Sequence, residues 1–434
     1  MIGTTGFLFL LVGSGVWSLT RDVRHPASLY ILVWFLILCL SSISIIKYPD
    51  VSNLTLFIII LSAITFSISS IVGSSILRVH GADIINRDQA SKYMPNIFTL
   101  ASLVFLGVGA GLYYYQSRFG LTVLLNNPGY VRFTDREGSG FYGILLLLPS
   151  FSVVAVILRW LISREKSWFT AFIVIFAYAY FAILPERTTV IANTLWIIGM
   201  WIVLDKKFYK KISKYFVVAV LSLVAIVGFF VIVNNRTGKN EFFDSIGYAI
   251  KNTEMPKALI SPYIYATGSI SALSSLISSP DIQNFDIKLD RTMFPAARVL
   301  QLISPTDGSK LSEAEDAAFI PFYFNTYTWL SLPIRDQGII GSQFYILICG
   351  LLCGLIYRRA KITHRPLWTF LYGGVFSAVL LSGMTNRFSS LTWWVAAAFA
   401  VLILSRPKIG KRKDRFHETF TTKNSLINVQ QSKT

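Results

Sequence analysis

Acidic residues are scarce in this sequence, and histidine and cysteine are scarcer still: 22 Asp and Glu, 4 His and 3 Cys among 434 residues. Charged side chains of both signs amount to 14%, against roughly a quarter in an ordinary soluble domain. So few cysteines exclude a disulfide-stapled scaffold. Cys349 and Cys353 share a helix face at a spacing of four, but with no His or acid nearby in sequence they make a poor metal site and read as small packing residues. Walker loops, dinucleotide fingerprints, HExxH and GxSxG are all missing. Any group transfer would therefore need a substrate that arrives already activated.

What the sequence has in quantity is apolar length. Hydrophobic residues make up 53% and aromatics 15%, gathered in blocks long enough for a hydrocarbon layer of ~30 Å. Spans are predicted near 3–20, 28–46, 54–77, 96–115, 141–162, 168–184, 188–204, 215–233, 337–357, 367–384 and 391–405. Several fall short of the ~20 residues usual for a full crossing. The first is not read as a cleaved signal peptide, because its positive charges follow the apolar run. The expected fold class is all-α: a polytopic integral membrane protein of about 11 transmembrane helices with a large periplasmic loop. It divides into an N-terminal bundle of eight spans (1–233), the loop (234–336), three C-terminal spans (337–405) and a basic tail (406–434).

Lys and Arg collect in loops that stay in the cytoplasm. One alternate set of connections (21–27, 78–95, 159–167, 205–214, 358–366 and the tail) holds 25 of the 40 basic residues. That set is assigned to the cytoplasm, which puts the N-terminus in the periplasm and the C-terminus inside. The net charge of +18 then follows topology and the anionic inner leaflet, and nucleic acid is not a partner. His25, His80, His364 and His417 all fall on the cytoplasmic side. Outward chemistry would lack a histidine base and would turn to a carboxylate such as Glu186, Asp290, Asp316 or Asp336.

On the outward side, residues 258–279 are apolar with many small side chains and read as an interfacial or re-entrant helix. Residues 318–332 are aromatic-rich, as suits the headgroup level. The hairpin Leu184-Pro185-Glu186-Arg187-Thr188-Thr189 is the sharpest local signal. The apolar run that follows, 190–204, has 15 residues, which cover only ~23 Å as a helix, so Arg187 is expected in a recess below the outer boundary. An arginine at that depth is costly and marks function more often than accident. With the amides of Thr188 and Thr189 at a helix start, it would hold a diphosphate well. Arg291, Arg298 and Arg335 add positive charge in the long loop. Pro295 separates the first two and leaves their sharing of a helix face open.

The layout of spans and loop resembles the Wzy family of oligosaccharide repeat-unit (O-antigen) polymerases. Two segments carry the resemblance: Glu186-Arg187-Thr188-Thr189-Val190-Ile191, and Asn325-Thr326-Tyr327-Thr328 running to Asp336-Gln337-Gly338-Ile339-Ile340-Gly341. The family's R-x10-G spacing is not met, since Gly199 lies one position too far from Arg187. The resemblance implies a membrane-embedded glycosyltransferase of the bacterial inner membrane, independent of metals and cofactors. Its substrates would be undecaprenyl-diphosphate-linked glycans, in contact with membrane lipids and with a chain-length regulator as a partner. It implies Arg187 at the donor diphosphate with Asp336 or Glu186 accepting a proton. Thr188, Thr189, Arg291, Arg298, Tyr327 and Arg335 would bind substrate. An O-antigen ligase shares the layout but calls for an outward histidine. A flippase or other transporter would show internal repeats or broken midplane helices.

Reporter fusions check the orientation. A fusion after Lys288 is expected to read out in the periplasm, and fusions after Lys211 and Lys361 in the cytoplasm. A cytoplasmic signal at 288 would overturn the assignment.

Overall fold

A computed structural model of the chain describes residues 2–76, 85, 87–128, 130–131, 141–164, 167–184, 188–205, 246–251, 257–279, 282, 289–296, 318–324 and 326–405. The apolar segments fold as helices: α1 (Ile2–Thr20), α2 (Pro26–Ser42), α3 (Asn53–Ile76), the short α4 (Arg87–Ser91), α5 (Ile97–Arg118), the short α6 (Leu121–Asn126), α7 (Phe141–Ser163), α8 (Trp168–Ile183), α9 (Thr188–Leu204), α10 (Lys257–Ile277), α11 (Ser331–Thr363), α12 (Pro366–Leu380) and α13 (Leu391–Leu404). A helix lies over each proposed span except the eighth, at 215–233, which falls outside the described residues. By length and composition α3, α5, α7 and α11 are able to cross a membrane, while α1, α2, α8, α9, α12 and α13 are apolar but shorter. The chain is a mostly helical, membrane-embedded protein.

The largest packing contact joins α3 to α11; α5 lies on α7, α9 on α12, and α1 on α2. Helix α11 departs from the sequence reading at both ends. It begins at Ser331, ahead of the expected 337, and is broken at Gly338, where φ is 68° and ψ is −175°. That left-handed φ is one that only glycine adopts without strain. At the other end the helix runs past the apolar stretch through Arg358, Arg359 and Lys361, because cations suit the negative end of the helix dipole.

The stretch at 258–279 is helical as α10. Its neighbour, aromatic in sequence, forms a small hairpin in which β1 (Ala318–Phe319) pairs antiparallel with β2 (Tyr323–Phe324). Ile320 and Phe324 are buried there with Ile46, Tyr263 and Ile264, while Phe319 and Tyr323 are exposed and meet edge to face. These two short strands are the exception to an otherwise helical architecture among the described residues.

One end of the bundle is fastened by a carboxylate. Asp22, in the turn between α1 and α2, is buried. It accepts from Arg24 Nε at 2.9 Å and Nη2 at 3.0 Å, from Lys361 Nζ at 2.7 Å and from the Tyr357 hydroxyl. The Tyr372 hydroxyl of α12 donates to the Arg24 carbonyl, so the turn is tied to two helices distant in sequence. Burial pushes the Asp22 carboxyl up, but the hydrogen bonds from Arg24, Lys361 and Tyr357 win and hold it well below the usual carboxylate range. Removing this carboxylate would leave Arg24 buried without its main partner, a change that typically costs roughly 3–5 kcal/mol.

His25 beside it caps α2: Nδ1 accepts from the Ala27 amide at 3.2 Å, and Nε2 lies 3.2 Å from the Ser74 hydroxyl. Burial pushes this imidazole down to about 4, against the pull of the Asp22 charge. Between that value and the free-histidine value near ~6.5, the unfolded chain binds a proton that the folded chain does not. Stability is therefore expected to fall as the pH drops from about 6.5 toward 4. Thermal unfolding in detergent should show this slope in the wild type and lose it in His25→Asn, which keeps a capping acceptor. An unchanged slope in the variant would refute the assignment.

Candidate functional site

At the end of the bundle away from Asp22, several separated segments are fastened together. Arg291 and Thr292 sit in a turn at 290–293, and Asp336 Oδ2 accepts from the Arg291 amide at 3.0 Å, the Thr292 amide at 2.7 Å and the Thr292 hydroxyl at 2.8 Å. Gln337 Nε2 adds a bond to the same hydroxyl at 3.3 Å. The break at Gly338 follows directly, so the first turns of α11 form a short unit that grips the loop. One residue before Asp336, the Arg335 guanidinium lies 5.0 Å from the centre of the Tyr327 ring, a cation–π distance.

Tyr327 is buried with Phe322 and Phe324, and two residues further on Trp329 ties the segment to the bundle. The Trp329 indole is buried against Tyr30 and Phe66 and donates to the Tyr30 hydroxyl at 2.9 Å. Its amide donates to the Ser382 carbonyl at 2.8 Å, and its carbonyl accepts from Asn386 Nδ2 at 3.1 Å. The segment from Tyr327 to Asp336 is thus docked on the turn between α12 and α13. That turn carries Arg387.

Arg387 borders a small cavity of about 50 Å³ that also touches Ser150 of α7, Thr189 and Asn193 of α9, and Thr392 and Trp393 of α13. Thr188 opens α9 and Thr189 stands in its first turn, where the sequence put the helix start. Of the residues singled out from sequence, Asp336, Arg291, Arg335 and Tyr327 come together in one cluster. Thr189 lines the cavity on another helix, with the Arg387 turn between. Glu186, Arg187 and Arg298 lie outside the described residues.

Sequence reading missed Arg387 and Asn193, though both left a signal. Arg387 stands in a short connection that the charge rule puts outside. Asn193 is an amide four residues after Thr189, one helical turn into an apolar run. The resemblance offered Asp336 or Glu186 as a proton acceptor, and the geometry gives Asp336 a structural part as well. The three donors on Oδ2 and a residue exposure of 3% make it a clamp for the Arg291 turn. Of the histidines, His25 caps α2 and His364 ends α11 in a left-handed conformation; His80 and His417 lie outside the described residues. Comparison with protein-family models, curated proteins and solved structures gives no match.

The clamp has a test. Asp336→Asn keeps an acceptor oxygen and is expected to retain the 289–296 segment in its protected state under limited proteolysis. Asp336→Ala leaves two backbone amides and a hydroxyl without their acceptor, a loss of about 1–3 kcal/mol per buried group, and should open it to cleavage. Equal protection in both variants would remove the clamp.

Proposed function

We propose that the protein is a polymerase of undecaprenyl-diphosphate-linked oligosaccharide repeat units, acting at the periplasmic face of a bacterial inner membrane. The observation that carries this reading is the gathering of Arg291, Arg335 and Arg387 on mutually fastened segments at one end of the bundle. The first turn of α9, with Thr188 and Thr189, borders the same region. The Wzy-like segments of the sequence supply the start of α9 and the passage from Tyr327 to Gly341.

In this reading the growing chain leaves its lipid carrier as a unit. A hydroxyl oxygen on the non-reducing sugar of the incoming unit attacks the anomeric carbon of the donor. The bond from that carbon to the diphosphate oxygen breaks, and its electron pair departs on the diphosphate. Arg187, with the amides of Thr188 and Thr189, neutralises the charge that develops there. Arg291, Arg298 and Arg335 add to the positive field, and Tyr327 keeps Arg335 in place. A carboxylate takes the hydroxyl proton. Glu186 is assigned that step, and Asp336 positions the Arg291 turn. A chain-length regulator is the expected partner.

An O-antigen ligase and a flippase are the competing readings, and the glycan profile of a deletion strain separates them. Lipid A bearing a single repeat unit marks a polymerase; lipid A bearing none marks a ligase or flippase. Arg187 is the sharper probe. Arg187→Ala is expected to abolish polymer at normal membrane abundance, a loss of roughly a hundredfold or more in rate. Arg187→Lys should rescue in part, because lysine keeps the charge without the planar fork. Wild-type polymer per molecule in Arg187→Ala would end the assignment of this residue to the diphosphate.

A further inference from the structure

We propose that Tyr248, Phe319 and Tyr323, with Lys47 and Lys251 beside them, form a seat in the headgroup layer of an anionic phospholipid leaflet. The sequence has a run of aromatics at 318–332, but the fold turns most of them inward. Phe322, Phe324, Tyr327 and Trp329 are buried. Phe319 and Tyr323, opposite each other in the β1–β2 register, are left 63% and 77% exposed. Tyr248 joins them at 60%, its hydroxyl donating to the Pro321 carbonyl of the hairpin turn at 2.6 Å. Lys47 Nζ donates to the Tyr248 carbonyl at 3.3 Å, and the Lys251 amide donates to the Ile45 carbonyl at 2.8 Å. Both lysines are exposed, so rings and cations stand on segments that are hydrogen-bonded to one another.

Helix α2 gives the depth. Leu32, Leu36, Leu40 and Ile43 are exposed along it at helical spacing, so one apolar face is turned to lipid. The Asp22 latch, with Arg24 and Lys361, marks the polar boundary at the start of the helix. The 17 residues from Pro26 to Ser42 rise ~25 Å, most of a hydrocarbon layer of ~30 Å. The chain therefore leaves α2 close to the opposite boundary. The Tyr263 hydroxyl fixes that exit, donating to the Leu40 carbonyl at 3.3 Å and accepting from the Ile45 amide at 3.1 Å. Lys47 follows two residues on. Amphipathic rings and snorkelling lysines are what the headgroup layer selects. A sugar-stacking platform suits the geometry less well, because Phe319 and Tyr323 meet at 76° and offer no common flat face. The seat holds whether or not the protein is a polymerase. It sets the height of the strand leading on to Tyr327 and Arg335, at the level of lipid phosphates.

The test places a nitroxide label at 319 or 323 of the full-length chain, through Phe319→Cys or Tyr323→Cys. Cys39→Ser removes the exposed native thiol, and Cys349 and Cys353 are buried. Each label replaces one exposed ring and keeps the other two, and either position serves if the other variant accumulates poorly. The protein is reconstituted in phosphatidylcholine vesicles with and without phosphatidylglycerol. A membrane seat is expected to make each label several-fold more accessible to oxygen, which partitions into lipid, than to a water-soluble nickel chelate. Chelate access equal to oxygen access at both positions would overturn the seat. Labels open to the chelate and immobilised by added maltoheptaose would overturn it in favour of sugar binding. Phosphatidylglycerol is expected to raise the oxygen preference further, because cations near an anionic surface are drawn to it. Lys47→Gln combined with Lys251→Gln should abolish that increment and leave the phosphatidylcholine value unchanged. An undiminished increment in the double variant would overturn the part given to the anionic headgroup.

Discussion

Helices α3 and α11 approach each other backbone to backbone. Apolar side chains gain little by leaving lipid for another helix, so association depends on how tightly two surfaces fit. Gly350 and Gly354 stand one turn apart on α11, and Gly73 faces them from α3. A methyl group at Gly73 would overlap the Leu351 backbone, one at Gly350 the Ser69 hydroxyl and the Phe66 carbonyl, and one at Gly354 the Ser70 carbonyl. The seam has no spare volume. Because α3 fixes α11, it also fixes what α11 carries: Tyr357 and Lys361 at one end, Arg335 and Asp336 at the other.

Those two ends follow opposite electrostatic rules. Around Asp22 the charges are matched: Arg24 forks onto the carboxylate, and Lys361 and Tyr357 fill its remaining positions. The loop between α1 and α2 is thereby locked to α11 and α12, and its polar atoms serve the fold. At the far end the polar groups divide their work. Asp336, Asn386 and Ser382 bind backbone and join the loops together. Around the cavity, Asn193 and Trp393 keep buried N–H groups that no part of the described protein engages.

The helical segments were legible because an apolar run needs no knowledge of its neighbours. A bilayer obliges every backbone group inside it to bond within its own segment, so the run itself specifies a helix. Even the start of α9 at Thr188 and the helix at 258–279 followed from local pattern. Helix ends were less legible, as α11 shows. Its extra turns before Gly338 depend on Trp329 being anchored to Tyr30 and Ser382, contacts across 299 and 53 residues. The partners of Asp336 were hidden for the same reason. Its partners are two amides and a hydroxyl 44 and 45 residues away, which no spacing rule pairs with it.

By itself, then, the sequence determined the class of solvent this chain lives in, where most helices lie and which loops carry the positive charge. Those properties are sums over neighbouring residues. The tertiary structure alone decided that α3 and α11 meet through glycine, that Asp22 is a latch, and that Arg387 shares a cavity with Asn193 and Trp393. Such choices depend on which surfaces can approach closely enough to touch, and on which buried donors and acceptors are left over once they have. Both are set by the three-dimensional arrangement of segments far apart in the chain.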